Sequence, residues 1–214
     1  MRPMTLRLSN PLRMPLIGAL LAALALLAAG CGQQAKLTPL APNSVVLAFG
    51  DSLTYGTGVG AAESYPAVLE RLIGRKVVSS GVPGEVSATG LARLPGVLDE
   101  VRPQLLVLCH GGNDILRNLD PAALRENLEG MVRAARDRGI PVVLLAVPKP
   151  GLFLSPHPVY DQLARKLAVP TEEQALAEIL ADNSLKSDPI HPNAKGYARL
   201  AERVVALLES AKAL

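Results

Sequence analysis

Residues 44–56 read SVVLAFGDSLTYG, five consecutive apolar side chains halted by a glycine and followed by an acid and a serine. The run predicts a strand that ends in a polar turn. Similar runs recur at 76–80 (KVVSS), 104–110 (QLLVLCH) and 141–148 (PVVLLAVP), with a weaker fifth at 167–170. Between them, apolar residues fall at helical spacing over 64–73, 88–101, 121–138, 158–167 and 193–211. Gly74 and Gly139 stand where helices stop, and Asp120-Pro121 reads as an N-cap followed by a first-turn proline. Residues 171–181 lack the alternation of a strand, and Thr171 ahead of Glu172 and Glu173 predicts a helix start. Short apolar runs alternating with amphipathic stretches predict an α/β domain on a parallel sheet of about five strands.

The 214 residues suit one such domain and something small beside it. Arg2, Arg7 and Arg13 are the only charged residues ahead of position 32, so the formal charge of +3 belongs to the N-terminus and the rest is balanced. A balanced body with no Trp and two Phe offers neither a basic stripe for phosphates nor a stacking platform for bases, which argues against a nucleic-acid partner. The apolar run at 16–30, LIGALLAALALLAAG, is short for a transmembrane helix and ends in small residues, so residues 1–30 read as an export signal. The stretch LLAAGCG resembles a bacterial lipoprotein cleavage site that would leave Cys31 as the lipid-bearing first residue and the membrane as a partner, although Ala28 stands where Leu is commoner. A plain secreted protein is the alternative. Residues 31–43 have the small, polar, Pro-containing composition of a tether, and the catalytic domain is expected over 44–214. With Cys31 and Cys109 the only cysteines, no disulfide framework exists, and Cys109 in its apolar run is expected to be a buried, inert thiol.

In an open parallel sheet the ligand crevice lies beyond the carboxyl ends of the strands. Gly50-Asp51-Ser52-Leu53 follows the first strand, Pro83-Gly84-Glu85 the second, and Gly111-Gly112-Asn113-Asp114 the third; Asp188-Pro189-Ile190-His191-Pro192 precedes the last helix. A serine hydroxyl needs a base, and neutral imidazole, with a pKa of about 6.5, suits that task. His191 is the candidate base for Ser52, and Asp188 can fix its tautomer. The backbone N–H groups of Ser52 and Gly84 and the side-chain amide of Asn113 are candidate oxyanion donors. Gly84 allows close backbone approach and positive φ, and the Gly111-Gly112 pair can turn Asn113 toward the pocket. Thr54 stands where the Gly-x-Ser-x-Gly elbow has its second glycine, so this is a different solution to the same chemistry.

FGDSLTYG, PGE, GGND and DPIHP, in that order, resemble the GDSL or SGNH hydrolases, and SATGLARLPGVL with GGNDILRNL is similar to their bacterial thioesterase/lysophospholipase and arylesterase branch. The resemblance implies Ser52 as nucleophile, Gly84 and Asn113 as oxyanion donors and Asp188 with His191 completing a triad. It also implies a three-layer α/β/α, flavodoxin-like fold with no metal or organic cofactor. Ser79 and Val86 stand where the family often has Asn and Thr, so their hydrogen bonds are expected to be lost or replaced. His110 occupies a place that is usually apolar.

Each block has a plainer reading when taken alone. Asp51-Ser52 can be a turn or helix cap, Asp188 and His191 caps for the final helix, Asn113 and Asp114 a turn cap, and Pro83-Gly84 a type II turn. Joint placement at successive strand ends favours catalysis. His157 reads as an exposed loop residue, and Phe153 and Leu154 either line an acyl pocket or seal the domain edge. The expected activity is hydrolysis of a small-molecule carboxylic ester or thioester through an acyl-enzyme; the alternatives are a carbohydrate O-acetylesterase at the envelope, or an idle tethered binding protein on the same fold.

Overall fold

The strand at Val45–Gly50 (β1) has Val46, Leu47, Ala48 and Phe49 wholly buried. A strand buried on both faces belongs at the centre of a covered parallel sheet, and that is where β1 lies. The computed structural model describes residues 36–151 and 153–214. Beside β1 run β2 (Lys76–Gly81) and β3 (Leu105–Cys109), followed by β4 (Val142–Leu145) and β7 (Thr171–Glu172), in the order β2-β1-β3-β4-β7 and all parallel. Two-residue strands β5 (Pro148–Lys149) and β6 (Ser155–Pro156) form a separate antiparallel ribbon after β4.

Helices cover both faces of the sheet. In chain order they are α1 (Ser52–Tyr55), α2 (Tyr65–Ile73), α3 (Ser87–Val101), α4 (Gly112–Leu116), α5 (Pro121–Arg136), α6 (Pro158–Leu167), α7 (Ala175–Ala181) and α8 (Ala194–Ser210). On one side α2 packs on α8; on the other, α3 packs on α5 and α5 on α6. The two layers enclose a single core with the central strands and the buried tyrosines Tyr65, Tyr160 and Tyr197. This three-layer α/β/α architecture is the one expected. The switch in winding direction lies between β1 and β3, the place where such sheets open a crevice.

Two expected elements are corrected. Residues 167–170 form no strand: α6 runs to Leu167, Ala168 closes it in a left-handed conformation, and the fifth strand starts at Thr171. Thr171 is therefore not a helix cap; it lies in β7, and α7 begins at Ala175. The cap comes from Glu172, whose carboxylate accepts the N–H groups of Gln174 (3.1 Å) and Ala175 (2.9 Å). The described part of the expected tether also differs. Leu37 and Leu40 donate their N–H groups to Ala211 and Ala213 carbonyls, and Leu40 is buried in the core. Cys31 and the expected export signal lie outside the described residues.

Candidate active site

Four loops meet above the carboxyl ends of β1, β2 and β3 and before α8. Ser52 starts α1 immediately after β1. Asp51, ahead of it, does two jobs at once: one carboxylate oxygen caps α1 through the Leu53 N–H (3.1 Å), and the other accepts the Gly112 N–H (3.2 Å) from the loop after β3. The local turn reading of Asp51 thus holds, and it ties two strand-end loops together. Burial pushes the Asp51 carboxyl above its ordinary range, with His110 and the two amide N–H groups opposing that.

His191 reaches Ser52 from the loop before α8. Its Nε2 lies 3.0 Å from Ser52 Oγ, and its Nδ1 lies 2.7 Å from an Asp188 carboxylate oxygen. Asp188's other oxygen accepts the N–H groups of Ile190 (2.8 Å) and His191 (2.9 Å), so the carboxylate is held by its own loop. Burial works against ionisation of Asp188, but the His191 side chain and the loop N–H groups outweigh it and lower its pKa. An ionised acceptor at Nδ1 places the imidazole proton there and leaves Nε2 free to accept from Ser52. Asn193 closes the loop by donating to Ser184 and Lys186 carbonyls, and Ser187 N–H donates to the His191 carbonyl.

Pro83-Gly84 forms the centre of a turn in which Glu85 N–H donates to the Val82 carbonyl (3.2 Å), with Gly84 at φ +79°. That is the type II geometry expected, and the positive φ is what makes glycine fit there. Gly111, at φ +107°, turns the chain into α4, where Asn113 faces the cleft. Asn113 Nδ2 donates to the Glu85 carbonyl (3.0 Å). Among the described residues, no hydrogen bond uses the backbone N–H of Ser52 or of Gly84. Ser52, Asn113 and His191 line one cleft of about 590 Å³; Asp188 stands behind His191, and Gly84 sits outside the lining, next to Glu85.

The rest of the cleft wall is mainly apolar, with Leu53, Leu116, Val147, Phe153, Leu180 and Ile190 prominent in it and Asp51 and Lys186 as its charged members. Phe153 and Leu154 contribute to this wall, although Phe153 remains 84% exposed. His157 is not a free loop residue: its Nδ1 accepts the Val159 N–H (3.3 Å) and caps α6. Cys109 is a buried thiol whose pKa burial raises well above the ordinary value. Ser79 Oγ donates to the Thr54 carbonyl, and the start of α3 near Val86 is capped by Asp114, which accepts the Ser87 N–H (2.8 Å) and hydroxyl (2.6 Å). Ser79 thus makes a hydrogen bond of its own, whereas the side chain of Val86 can make none and its neighbour Ser87 bonds to Asp114. Glu85 and Arg93 gave no separate signal in the sequence, because their partners come from other segments of the chain, and Asp114, read as a turn cap, caps α3 rather than its own turn.

Residues 48–199 match the model of the GDSL-like lipase/acylhydrolase family. The chain belongs to that family. It is 34% identical over 194 residues to a Pseudomonas aeruginosa protein named esterase TesA, covering 84% of this chain and 95% of that one. It is 29% identical over 161 residues to an Escherichia coli protein named thioesterase 1/protease 1/lysophospholipase L1, covering 72% and 77% respectively. A crystal structure of TesA matches the fold with a TM-score of 0.72 and 31% identity, covering 78% of this chain and 99% of that one. AlinE4, an SGNH-hydrolase family esterase, matches with a TM-score of 0.61 and 32% identity over 79% and 97%. As a member of the GDSL family, the protein is a serine ester hydrolase.

Proposed function

We propose that Ser52 is the nucleophile of an acyl-ester or thioester hydrolase, with His191 as its base and Asp188 orienting that base. The observation that carries this reading is the hydrogen-bonded line from Ser52 Oγ through His191 to Asp188, 3.0 and 2.7 Å, at the edge of an apolar cleft. Ser52 Oγ bonds to the carbonyl carbon as its proton passes to His191 Nε2, and the carbonyl oxygen takes up the negative charge. The N–H groups of Ser52 and Gly84 and the Asn113 amide are the donors for that oxygen. Collapse expels the alcohol or thiol, which takes the proton from His191. Water, deprotonated by His191, then attacks the acyl-enzyme and releases the acid.

The apolar lining favours an acyl chain over the polar surface of a sugar, which argues for acyl ester or thioester cleavage rather than glycan deacetylation. Hydrolysis of p-nitrophenyl acyl esters by wild type and Ser52→Ala tests the assignment. The variant is expected to lose at least about 10⁴-fold in kcat and all labelling by a fluorophosphonate probe. An active Ser52→Ala protein, or an unlabelled wild type, overturns it.

The setting proposed for this reaction is the cell envelope. The support is the sequence itself: a basic start, a short apolar run over 16–30, and small residues ahead of Cys31. On this reading residues 1–30 are removed and Cys31 carries the lipid anchor. Mass spectrometry of the membrane-extracted protein is expected to show Cys31 as the first residue, carrying acyl chains; an N-terminus elsewhere or an unmodified Cys31 rules lipidation out.

A further inference from the structure

Behind the two loops that carry Gly84 and Asn113 lies a buried polar cluster that the proposed reaction leaves unused. The Glu85 carboxylate is buried and accepts three hydrogen bonds. Arg93 on α3 grips it from Nε (2.9 Å) and Nη2 (2.7 Å), and His110, at the end of β3, contacts it through Nε2 (3.1 Å). His110 is completely buried, and its Nδ1 accepts the Gly111 N–H (2.9 Å). With Nδ1 serving as acceptor, the ring proton lies on Nε2, which therefore donates to Glu85. Arg93 is fixed in turn: its guanidinium lies 4.1 Å over the Phe49 ring and donates to Ser80 Oγ (2.6 Å) and to the Ser80 and Gly50 carbonyls. Gly90 is part of the same fit, since a Cβ there would overlap His110 Nε2.

A buried ionic cluster is not a favourable way to glue two loops together, because desolvation offsets much of the attraction and apolar side chains of similar volume do as well. What it supplies is direction. Glu85 touches both donor loops: its carboxylate holds His110, which holds the Gly111 N–H, and its carbonyl accepts one N–H of the Asn113 amide. An amide has two N–H bonds. With one pinned to the Glu85 carbonyl, the NH₂ end rather than the oxygen must face this side, and the second N–H remains for the substrate oxyanion.

We propose that Glu85, His110 and Arg93 form a positioning network that aims the Gly84 and Asn113 donors at the developing oxyanion. The network touches no substrate, and the inference rests on the donor assignment of Gly84 and Asn113. Glu85→Gln keeps the shape but presents an NH₂ group to Arg93 Nε in one orientation and to both Arg93 Nη2 and His110 Nε2 in the other. If it faces His110, the imidazole must give up either its bond to residue 85 or its bond to Gly111.

The test measures kcat and KM for a soluble p-nitrophenyl ester in Glu85→Gln, His110→Leu, Asn113→Ala and the Glu85→Gln/Asn113→Ala double variant, with thermal unfolding recorded for each. Both network variants are expected to lose about tenfold or more in kcat with KM within about twofold of wild type. The Glu85→Gln loss should shrink on the Asn113→Ala background, because one of its two targets is already gone while Gly84 remains. Folded network variants with wild-type kcat, or losses that simply multiply in the double variant, overturn the inference. Wild-type activity in Asn113→Ala strikes the donor assignment beneath it; a loss there with both network variants fully active strikes this inference alone. Should neither network variant fold, imidazole nitrogen NMR of the wild-type protein decides, with His110 expected to be protonated at Nε2 and bare at Nδ1, and the reverse tautomer overturning the proposal.

Discussion

A serine hydroxyl 3.0 Å from an imidazole is only as reactive as the imidazole's tautomer allows, and here a carboxylate from the same loop sets that tautomer. Asp188→Asn is therefore expected to leave the fold in place and lower kcat by about 10³–10⁴-fold, since an amide can hold the proton on the wrong nitrogen; steady-state kinetics with a circular-dichroism check reads this directly. The same carboxylate links stability to pH. Its folded pKa is lowered, so its stabilising contribution is complete above the ordinary carboxylate range and is lost as pH falls through the lowered folded value. The stability gap between wild type and Asp188→Ala in urea should hold steady from neutral pH to about 5 and narrow below about 4. Asp51 carries the opposite sign: burial raises its pKa, so its contribution is present at low pH and declines as pH rises through that raised value. Ser52, Asp188 and His191 could be found in the sequence because each stands at a strand end or before a helix, in segments with recognisable turn chemistry. Glu85 and Arg93 could not, because what makes them matter is a meeting of β2, α3 and β3 that no local pattern encodes.

At the level of elements, the long amphipathic helices and the first three apolar strands were legible to within a residue or two, since burial imposes their periodicity, whereas the fourth run, 141–148, overshoots β4 by three residues because Pro148 belongs to the separate ribbon. The short elements were not. Helices α1 and α4 span four and five residues, too few to display a helical period, and each exists because a strand-end loop is pinned by Asp51. Strand β7 is two residues long and is defined by its pairing with β4, so Thr171 looked like a cap when read locally. The true cap, Glu172, also binds Arg203 of α8 at 2.9 Å and so joins strand, helix start and final helix. Glu172→Ala is expected to destabilise the fold by about 1–2 kcal/mol with kcat unchanged. Equilibrium denaturation beside an esterase assay would show this, and a stability loss within error of zero would mean that the cap is supplied by another group.

Across the whole molecule, the chain enters the fold at the end opposite the proposed active site. Leu37 and Leu40 are laid against Ala211 and Ala213 near the C-terminus, and Arg75 donates to the Leu40 and Ala41 carbonyls. These contacts lie by the amino ends of the strands, where Gln104 also meets Val45, whereas Ser52, Asn113 and His191 gather beyond the carboxyl ends. Composition alone made residues 31–43 look like a tether, because small and polar residues with prolines describe a loose segment and a packed strap equally well. What separates the two is that Leu40 is buried in the core and Leu37 packs partly against it, while their N–H groups bond to the Ala213 and Ala211 carbonyls. Two truncations should therefore behave differently. A chain beginning at Lys36 keeps every contact described above and is expected to match the full chain in kcat/KM on a soluble ester. A chain beginning at Ser44 loses Leu37, Leu40 and the Arg75 acceptors, and should lose about 2–5 kcal/mol, or roughly 5–15 °C in Tm, with the site chemistry intact in the folded fraction. Calorimetry and esterase assays on the two chains decide the matter, and equal melting temperatures would show that the strap is dispensable and that the folded body begins at β1.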